Sequence, residues 1–464
     1  MTAPESPFPP GFAERMARLL GDEIDAFLAA LADPAAGLRV NTLKLTPERF
    51  RELAPFSLEP LPFPEAGFIV EGEDRPGRHP YHAAGLYYLQ DPAAMVVAAL
   101  VDPRPGERVL DLAAAPGGKS THLAALMEDD GLLIANDVHA GRARELASNL
   151  ERFGVRNAVV TNESAERLAD HFGAWFDRVL VDAPCSGEAM FHKSEAAAIE
   201  WSETSVLGCA RRQADLLREA ARLVRPGGLL VYSTCTFSPE EDEAVIGGFL
   251  AEHPDFEMAT LAEVPGAAPG RPEWAPEEAR RPELDRAMRL WPHRFPGAGH
   301  FIAGLRRTDG VAGAPPAARH QPAPRKAVAL FEAFSDDALR DDDGNGYPLA
   351  LFGSELHRLP TTLPDLGGLR VVRTGWWLGT VKKDRFEPSH HLALALPARA
   401  FRRTIELRAD EPDTLAYLRG EPIRRDGEAG WAVVTVDGYP LGWGKRSGAT
   451  VKNHYPKGLR WRSR

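Results

Sequence analysis

An alternation that starts near residue 99 limits the folds open to this chain more than any other feature. Short apolar runs, each long enough for one buried strand, are separated by stretches whose apolar residues recur at helical spacing. Residues 109–112, 132–135, 157–161, 176–181 and 229–232 read as strands. The segments from Ser120 onward and from 142 to 153 read as helices, the second ending at Gly154. Such alternation predicts an α/β unit with a mostly parallel sheet and helices on both faces. Ligands of that architecture sit past the carboxyl ends of the strands. Asp137, Asp182 and Cys235 each follow one of these strands, so one sheet edge gathers residues distant in sequence.

A chain of 464 residues has room for two to four domains. Residues 1–98 mix helical and strand patterns, with a helix expected over 12–32 and a strand over 38–43, and read as an N-terminal α+β region. The α/β unit occupies 99–308. Residues 309–330, rich in Ala, Pro and Gly, read as a linker. Residues 331–464 form a last unit in which 371–381 and 432–436 look like strands, so a β-rich domain is expected.

Composition excludes several classes. The net charge of -11 argues against a polyanion binder basic over its whole surface, while leaving room for one basic face. The only cysteines, Cys185, Cys209 and Cys235, suit a reducing compartment rather than a disulfide framework. No Cys/His cluster has metal-ligand spacing, so no metal is expected. No basic-then-apolar leader and no long apolar run are visible, so a cytoplasmic protein off the membrane, and a monomer, are expected.

After the first α/β strand the chain runs Ala113-Ala114-Ala115-Pro116-Gly117-Gly118-Lys119-Ser120. Small residues let a ligand approach the backbone, and the following helix presents its free N–H groups there. Gly118-Lys119-Ser120 ends like a phosphate-binding loop, but the glycine that loop needs five residues earlier is Ala113. The competing ligand is S-adenosyl-L-methionine, with Asp137, after the second strand, taking its ribose hydroxyls. A tight turn without a ligand is the plain alternative.

The fourth strand ends in Asp182-Ala183-Pro184-Cys185-Ser186-Gly187 and the fifth in Ser233-Thr234-Cys235-Thr236. Carbon 5 of cytosine is too poor a nucleophile to be methylated directly. A thiolate adding at carbon 6 makes it an enamine carbon that can take the methyl group, and loss of the carbon 5 proton then expels the sulfur. That chemistry also needs a group near ring nitrogen 3, a place Asp182 could fill if it carries or shares a proton. Buried structural cysteines are the alternative, retained for Cys209 within a helix, and for Asp182 the alternative is a helix cap.

Together these motifs resemble the Nol/Nop/Sun family of RNA cytosine-5 methyltransferases, and within it the RsmF branch. Arg39-Val40-Asn41-Thr42-Leu43-Lys44 and Gln90-Asp91-Pro92 are similar to family motifs near the N-terminus. The turn from Ala113 to Lys119 resembles the cofactor signature, with Ala113 where many members have cysteine. The resemblance implies a Rossmann-like class I methyltransferase sheet and S-adenosyl-L-methionine held by Ala113, Ala114, Ala115, Pro116, Gly117, Gly118, Lys119, Asp137, Arg142 and Asp182. It further implies Cys235 as nucleophile, Cys185 in product release, Asp182 at the target base and Lys193 near the catalytic pocket. The family's acid after the third strand is replaced by Ser164, next to Glu163, and His192 stands where an arginine is common. DNA-type enzymes use the cysteine of a Pro-Cys motif, here Cys185, and the Ser-Thr-Cys motif at Cys235 favours the RNA type.

The C-terminus interleaves cations with aromatics, from Gly442-Trp443-Gly444-Lys445-Arg446 through Lys452, Tyr455 and Lys457 to Trp461. Cations neutralise phosphates and aromatics stack on unpaired bases, so RNA contact is expected there rather than a merely solvated tail. This segment, and Phe386-Glu387-Pro388-Ser389-His390, resemble the PUA-like domain of the RsmF branch. The implied substrate is cytosine in 16S ribosomal RNA, within the small ribosomal subunit. The rivals are a transfer RNA cytosine-5 methyltransferase, a non-catalytic ribosome-assembly factor and a phosphate-loop nucleotide hydrolase.

Overall fold

The computed structural model describes residues 8–72, 74–315, 318, 321–340 and 347–462. The first seven residues, where no leader is expected, and parts of the expected linker lie outside them. Five parallel strands form the centre of the molecule, in the order Ala158–Thr161, Leu132–Asn136, Arg108–Asp111, Phe176–Asp182 and Val224–Thr234. Strand His300–Arg307 runs antiparallel beside the last of them. Side chains alternate across this sheet, and both faces are covered. Leu110, Ile134, Val159, Val181 and Tyr232 pack under helices Ala165–Phe172, Glu203–Leu223 and Glu243–Glu252. Val109, Leu133, Ala135, Leu180 and Val231 pack under Pro92–Val101, Gly118–Leu126 and Ala140–Phe153. Each such side chain, fully buried, stabilises by about 1.5–3 kcal/mol.

Local signals set the helix ends. Asp91 caps Pro92–Val101 by accepting from the N–H groups of Ala93 and Ala94, with Pro92 in the first turn. The expected single helix over 12–32 is two helices, Phe12–Leu20 and Ile24–Ala32, parted at Gly21, whose φ of 57° no helix continues through. Both pack against the loop that follows Cys235, with Phe12, Phe27, Phe237 and Trp291 as their shared core.

The N-terminal sheet, ordered Leu58–Pro60, Gly67–Val70, Gly37–Val40, Tyr87–Leu89, docks onto the central unit through its polar residues. Arg39, fully buried, donates to the Gly118 carbonyl (3.1 Å), the Thr121 hydroxyl (2.8 Å) and Gln90 (3.2 Å). Asn41 donates to the carbonyls of Gly85 (2.8 Å) and Phe153 (2.9 Å), closing one hydrogen bond on each side of the junction.

Beyond residue 308 the chain departs from its reading as linker plus separate unit. Helix Arg325–Ala338 begins inside the expected linker. Strand Val371–Thr374 leaves the C-terminal region and pairs antiparallel with Ala158–Thr161, extending the central sheet. The local pattern marks 371–381 as extended but carries no sign of which sheet its first half joins. The rest forms a four-stranded antiparallel sheet (Leu349–Phe352, Glu355–Arg358, Trp376–Val381, Phe386–Pro388) and a five-stranded sheet around Gly430–Val436 and Tyr439–Ser447. Among the described residues, no helix is long and apolar enough to cross a membrane.

Replacing Asn41 with Ala leaves two carbonyls without their donor at the junction. The expected loss of unfolding free energy is about 1–3 kcal/mol, measured by denaturant titration against the parent protein.

Candidate active site

Five strand ends and one strand start converge along one edge. Asp111 closes its strand, and its carboxylate accepts from the Ser120 hydroxyl at 2.6 Å, tying the strand to the helix that follows the turn. Gly117 lies between them at φ 112°, and a Cβ there would stand 3.0 Å from Leu146, so both backbone and space require glycine. Ala114 N–H donates to the Asn136 carbonyl at 2.7 Å. The Asn136 amide in turn donates to the Leu112 and Glu163 carbonyls and accepts from Thr161 and Glu163 N–H, so one buried side chain joins three strand ends. Asp137 is buried and accepts from His139 N–H at 2.8 Å. Arg142 lies 3.6 Å from its other oxygen and donates to the Ala115 carbonyl at 2.5 Å, linking that acid to the turn.

Ser164, at the position where an acid was expected, caps helix Ala165–Phe172 through Arg167 N–H. Glu163 is almost wholly buried and accepts from the backbone N–H of Arg370 (2.8 Å) and its guanidinium (3.2 Å). Hydrogen bonds and charge from Arg370 and Arg167 outweigh burial and hold the Glu163 carboxyl below its ordinary value.

On the other side of the turn, Lys119 reaches across to Asp182, Nζ to Oδ2 at 2.7 Å, and Ser233 donates to Oδ1 at 2.8 Å. Burial alone would raise the Asp182 carboxyl, but the Lys119 ammonium prevails and keeps it ionised. Asp182 therefore caps no helix. His300, at the start of its strand, lies beside the pair and is kept neutral by burial and by the Lys119 charge, which lower it to about 4.

Cys185 and Cys235 meet with their sulfurs 3.3 Å apart. Hydrogen bonding to Cys235, followed by burial, pushes the Cys185 thiol well up. Glu241, completely buried, ties the two cysteine turns together: it accepts from Ser186 N–H (2.9 Å), from Gln213 (2.7 Å) and from Thr236 (3.4 Å). Cys209 is apart from this group, buried in helix Glu203–Leu223 with Arg212 on its sulfur at 3.1 Å. Lys193 is exposed and lines a cavity of about 350 Å³ with Gln90 and Asp91, and no hydrogen bond or ion pair ties it to either thiol.

Sequence reasoning thus gathers Asp137, Asp182, Cys185 and Cys235, names Ser233 and Glu241 only as members of the motif around Cys235, and gives no role to Asn136 or His300. Glu241 falls in the stretch Phe237-Ser238-Pro239-Glu240-Glu241, which resembles the family after Cys235 but does not by itself say what the acid holds; His300 follows Gly-Ala-Gly and carries no local signal. At the C-terminus Trp443 and Tyr455 are core residues, 2% and 4% exposed, and Trp443 donates to the Ser389 carbonyl at 2.8 Å. Their expected stacking on bases is corrected accordingly, since large rings on inward strand positions fill the interior first. Lys445, Lys452 and Lys457 are exposed, and Lys445 and Lys452 face each other across paired strands.

The sheet order, the antiparallel strand beside the fifth parallel one and the acids at the strand ends define a Rossmann-like methyltransferase. Residues 98–306 match the family 16S rRNA methyltransferase RsmB/F. Residues 8–92 match the N-terminal domain of 16S rRNA methyltransferase RsmF, 333–396 the RsmF rRNA methyltransferase first C-terminal domain, and 404–461 the methyltransferase RsmF PUA domain. Ribosomal RNA small subunit methyltransferase F of Klebsiella pneumoniae is 34% identical, covering 97% of this chain and 96% of its own. The protein of that name from Erwinia tasmaniensis is 33% identical with the same two coverages, 97% and 96%. A crystal structure of a methyltransferase homolog protein from Pyrococcus horikoshii is 32% identical, covers 64% of this chain and 94% of its own, and superposes with a TM-score of 0.56. The chain belongs to the RsmF family of 16S rRNA methyltransferases.

Burial raises Glu241 to about 7, above its ordinary 4.5. A raised acid favours the folded protein fully below the unfolded value, and that contribution is lost as pH climbs through the folded value. Glu241→Gln cannot ionise, so it should gain unfolding free energy over the parent between pH 5 and pH 8, by on the order of 3 kcal/mol, in paired denaturant titrations.

Proposed function

We propose that the protein transfers a methyl group from S-adenosyl-L-methionine to carbon 5 of cytosine in 16S ribosomal RNA, with Cys235 as nucleophile. The observation that carries this reading is the pair of sulfurs 3.3 Å apart beside an ionised Asp182 and a protonated Lys119. A nucleotide hydrolase or a passive assembly factor has no use for two thiols at that spacing, and Lys119, paired with Asp182, is not placed as a phosphate-loop lysine.

The residues present fit the cofactor. The glycine-locked turn 113–118 leaves backbone open to a ligand, and the buried Asp137 carboxylate has an oxygen whose nearest cation, Arg142, is 3.6 Å away, leaving acceptor capacity for ribose hydroxyls. Ala113, Ala114, Ala115, Pro116, Gly117, Gly118, Lys119, Asp137, Arg142 and Asp182 would hold it. When bound, it supplies an electrophilic methyl group. Cys185 keeps its proton, leaving Cys235 to add at carbon 6 of the ring. As it adds, ring nitrogen 3 gains charge and needs a proton; that proton is on Lys119 rather than on Asp182, whose carboxylate instead accepts from the protonated ring. After methylation Cys185, touching the departing sulfur, gives it a proton as the carbon–sulfur bond breaks and, as the thiolate so formed, takes the proton from carbon 5, while ring nitrogen 3 returns its proton to Lys119. Lys193, exposed at the rim, fits a contact to the RNA chain. Regions 1–98 and 331–464 hold the RNA, with Lys445, Lys452 and Lys457 as phosphate contacts in the PUA unit.

Bisulfite sequencing of 16S ribosomal RNA from cells with and without the gene tests the reading, and an unchanged cytosine profile would end it. Cys235→Ser should lower methylation by a factor on the order of 10³ or more. Cys185→Ala should instead accumulate a protein–RNA adduct that survives denaturing electrophoresis. Reversing charge at Lys445 and Lys452 together should weaken RNA binding about tenfold or more at 0.1 M salt and flatten its salt dependence, with the melting temperature little changed, because one pair of facing like charges replaces another and only the contact of Lys445 with the Trp431 ring is lost.

A further inference from the structure

His300 is buried at 7% exposure and belongs to no motif discussed above. Its strand runs antiparallel to the central five, so its beginning lies at the edge where the others end, and Phe301 pairs with Thr234, one residue before Cys235. The cofactor turn and Asp137 lie on the first two parallel strands; Asp182, Cys185 and Cys235 lie on the fourth and fifth, and His300 stands just outside them. It is therefore on the target-base side of the edge, away from the ribose acid.

The ring's protonation state follows from its contacts. Nδ1 lies 2.6 Å from the Gly299 carbonyl, which can only accept, so Nδ1 carries the hydrogen. The ring is neutral near pH 7, because burial and the Lys119 charge both oppose a second proton. Nε2 is then a bare lone pair. Among the described residues it has no hydrogen-bond partner, and it is not sealed from solvent as are the buried orphan nitrogens of His122 and His391. Gly299 is at φ 100°, and a Cβ there would come 2.7 Å from Phe237 and 2.9 Å from the Leu290 carbonyl, so the segment that orients the ring is closely constrained.

We propose that His300 Nε2 reads the exocyclic amine of the target cytosine, as one of two acceptors, with Asp182, for its two hydrogens. This rests on the cytosine reading above and makes it more specific. Uracil offers an oxygen at that position, which would face the His300 lone pair and the Asp182 carboxylate, so the pair disfavours uracil while Cys235 alone would not. Lys119 cannot take over the reading, because an ammonium has hydrogens to give and no lone pair to receive those of the amine, and the hydrogens not held by Asp182 serve ring nitrogen 3 in the reading above.

The test uses the full chain and an RNA spanning the cytosine mapped by bisulfite sequencing, made with cytosine or with 2-pyrimidinone, which lacks the amine, at that one position. The readout is the rate of adduct formation with Cys185→Ala as background. Adding His300→Ala should slow the reaction on cytosine about ten- to a hundredfold and on 2-pyrimidinone less than about twofold. His300→Gln, whose amide oxygen can stand in for Nε2, should recover part of the cytosine rate, and it keeps the test alive if the alanine variant fails to fold. Equal penalties on the two bases would overturn the proposal in favour of a structural role. No adduct on either base with His300 intact would overturn the cytosine reading itself.

Discussion

Much of this active edge depends on one half-buried ion pair, Lys119 with Asp182. Lys119 begins the helix after the cofactor turn and Asp182 ends the fourth strand, so their 2.7 Å contact locks two elements that share no hydrogen-bond ladder at that point. Ser233 brings in the fifth strand through the second Asp182 oxygen, two residues before Cys235. Removing charges from water costs several kcal/mol per ion, and a pair repays it only when its remaining lone pairs are also satisfied. Asp182 meets that condition, with both oxygens engaged. Loss of either partner would strand the other as an uncompensated charge, which is more damaging than the absence of both. The pair is thus better understood as a device for placing a proton and a negative charge side by side than as a source of stability.

Support for that edge comes from both flanks. From the N-terminal sheet, Arg39 holds the Gly118 carbonyl and Thr121, so the first turn of the cofactor helix is fixed from outside its own domain. From the C-terminal region, Arg370 holds Glu163 and the strand Val371–Thr374 extends the sheet beyond Ala158–Thr161. On the thiol side, Arg289, itself buried, pairs with Asp242 (3.1 Å) and Glu243 (2.5 Å), and Thr234 donates to Asp242, anchoring the segment that carries Cys235. The units on either side of the catalytic sheet therefore shape the site as well as extend the surface that meets RNA.

Elements governed by local pattern were legible in the sequence; those governed by distant pairing were not. The parallel strands and the strand-end acids could be read because apolar runs and turn residues act within a few positions. The parting at Gly21 was missed because the apolar spacing of 12–32 continues through it, whereas a left-handed φ does not. Strand Val371–Thr374 looked like its neighbour 376–381, and only packing against a strand two hundred residues earlier decides where it goes. Trp443 and Tyr455 read as stacking platforms because they stand among cations, yet Trp443 is covered by Phe334, Phe401 and Trp431, while Lys445, two residues on and on the same face of the strand, stays exposed. Ser164 occupies the place of an acid and caps the helix that begins there, a task an aspartate would do as well, so the cap does not explain the exchange.

The closeness of the two sulfurs bears on which one attacks. Two thiols at 3.3 Å cannot both lose their protons cheaply, since the second charge would form against the first in a buried site. One must stay protonated, and the surroundings choose which. Cys185 has Glu241 behind it, tied to the very next N–H, so a charge on Cys185 would face an acid. Cys235 lies within reach of the Lys119 ammonium, whose own proton it helps retain. The asymmetry between an acid behind one sulfur and a cation near the other is the feature on which the proposed division of roles rests. The order of motifs along the chain records this separation only indirectly, through the residues that each cysteine brings with it.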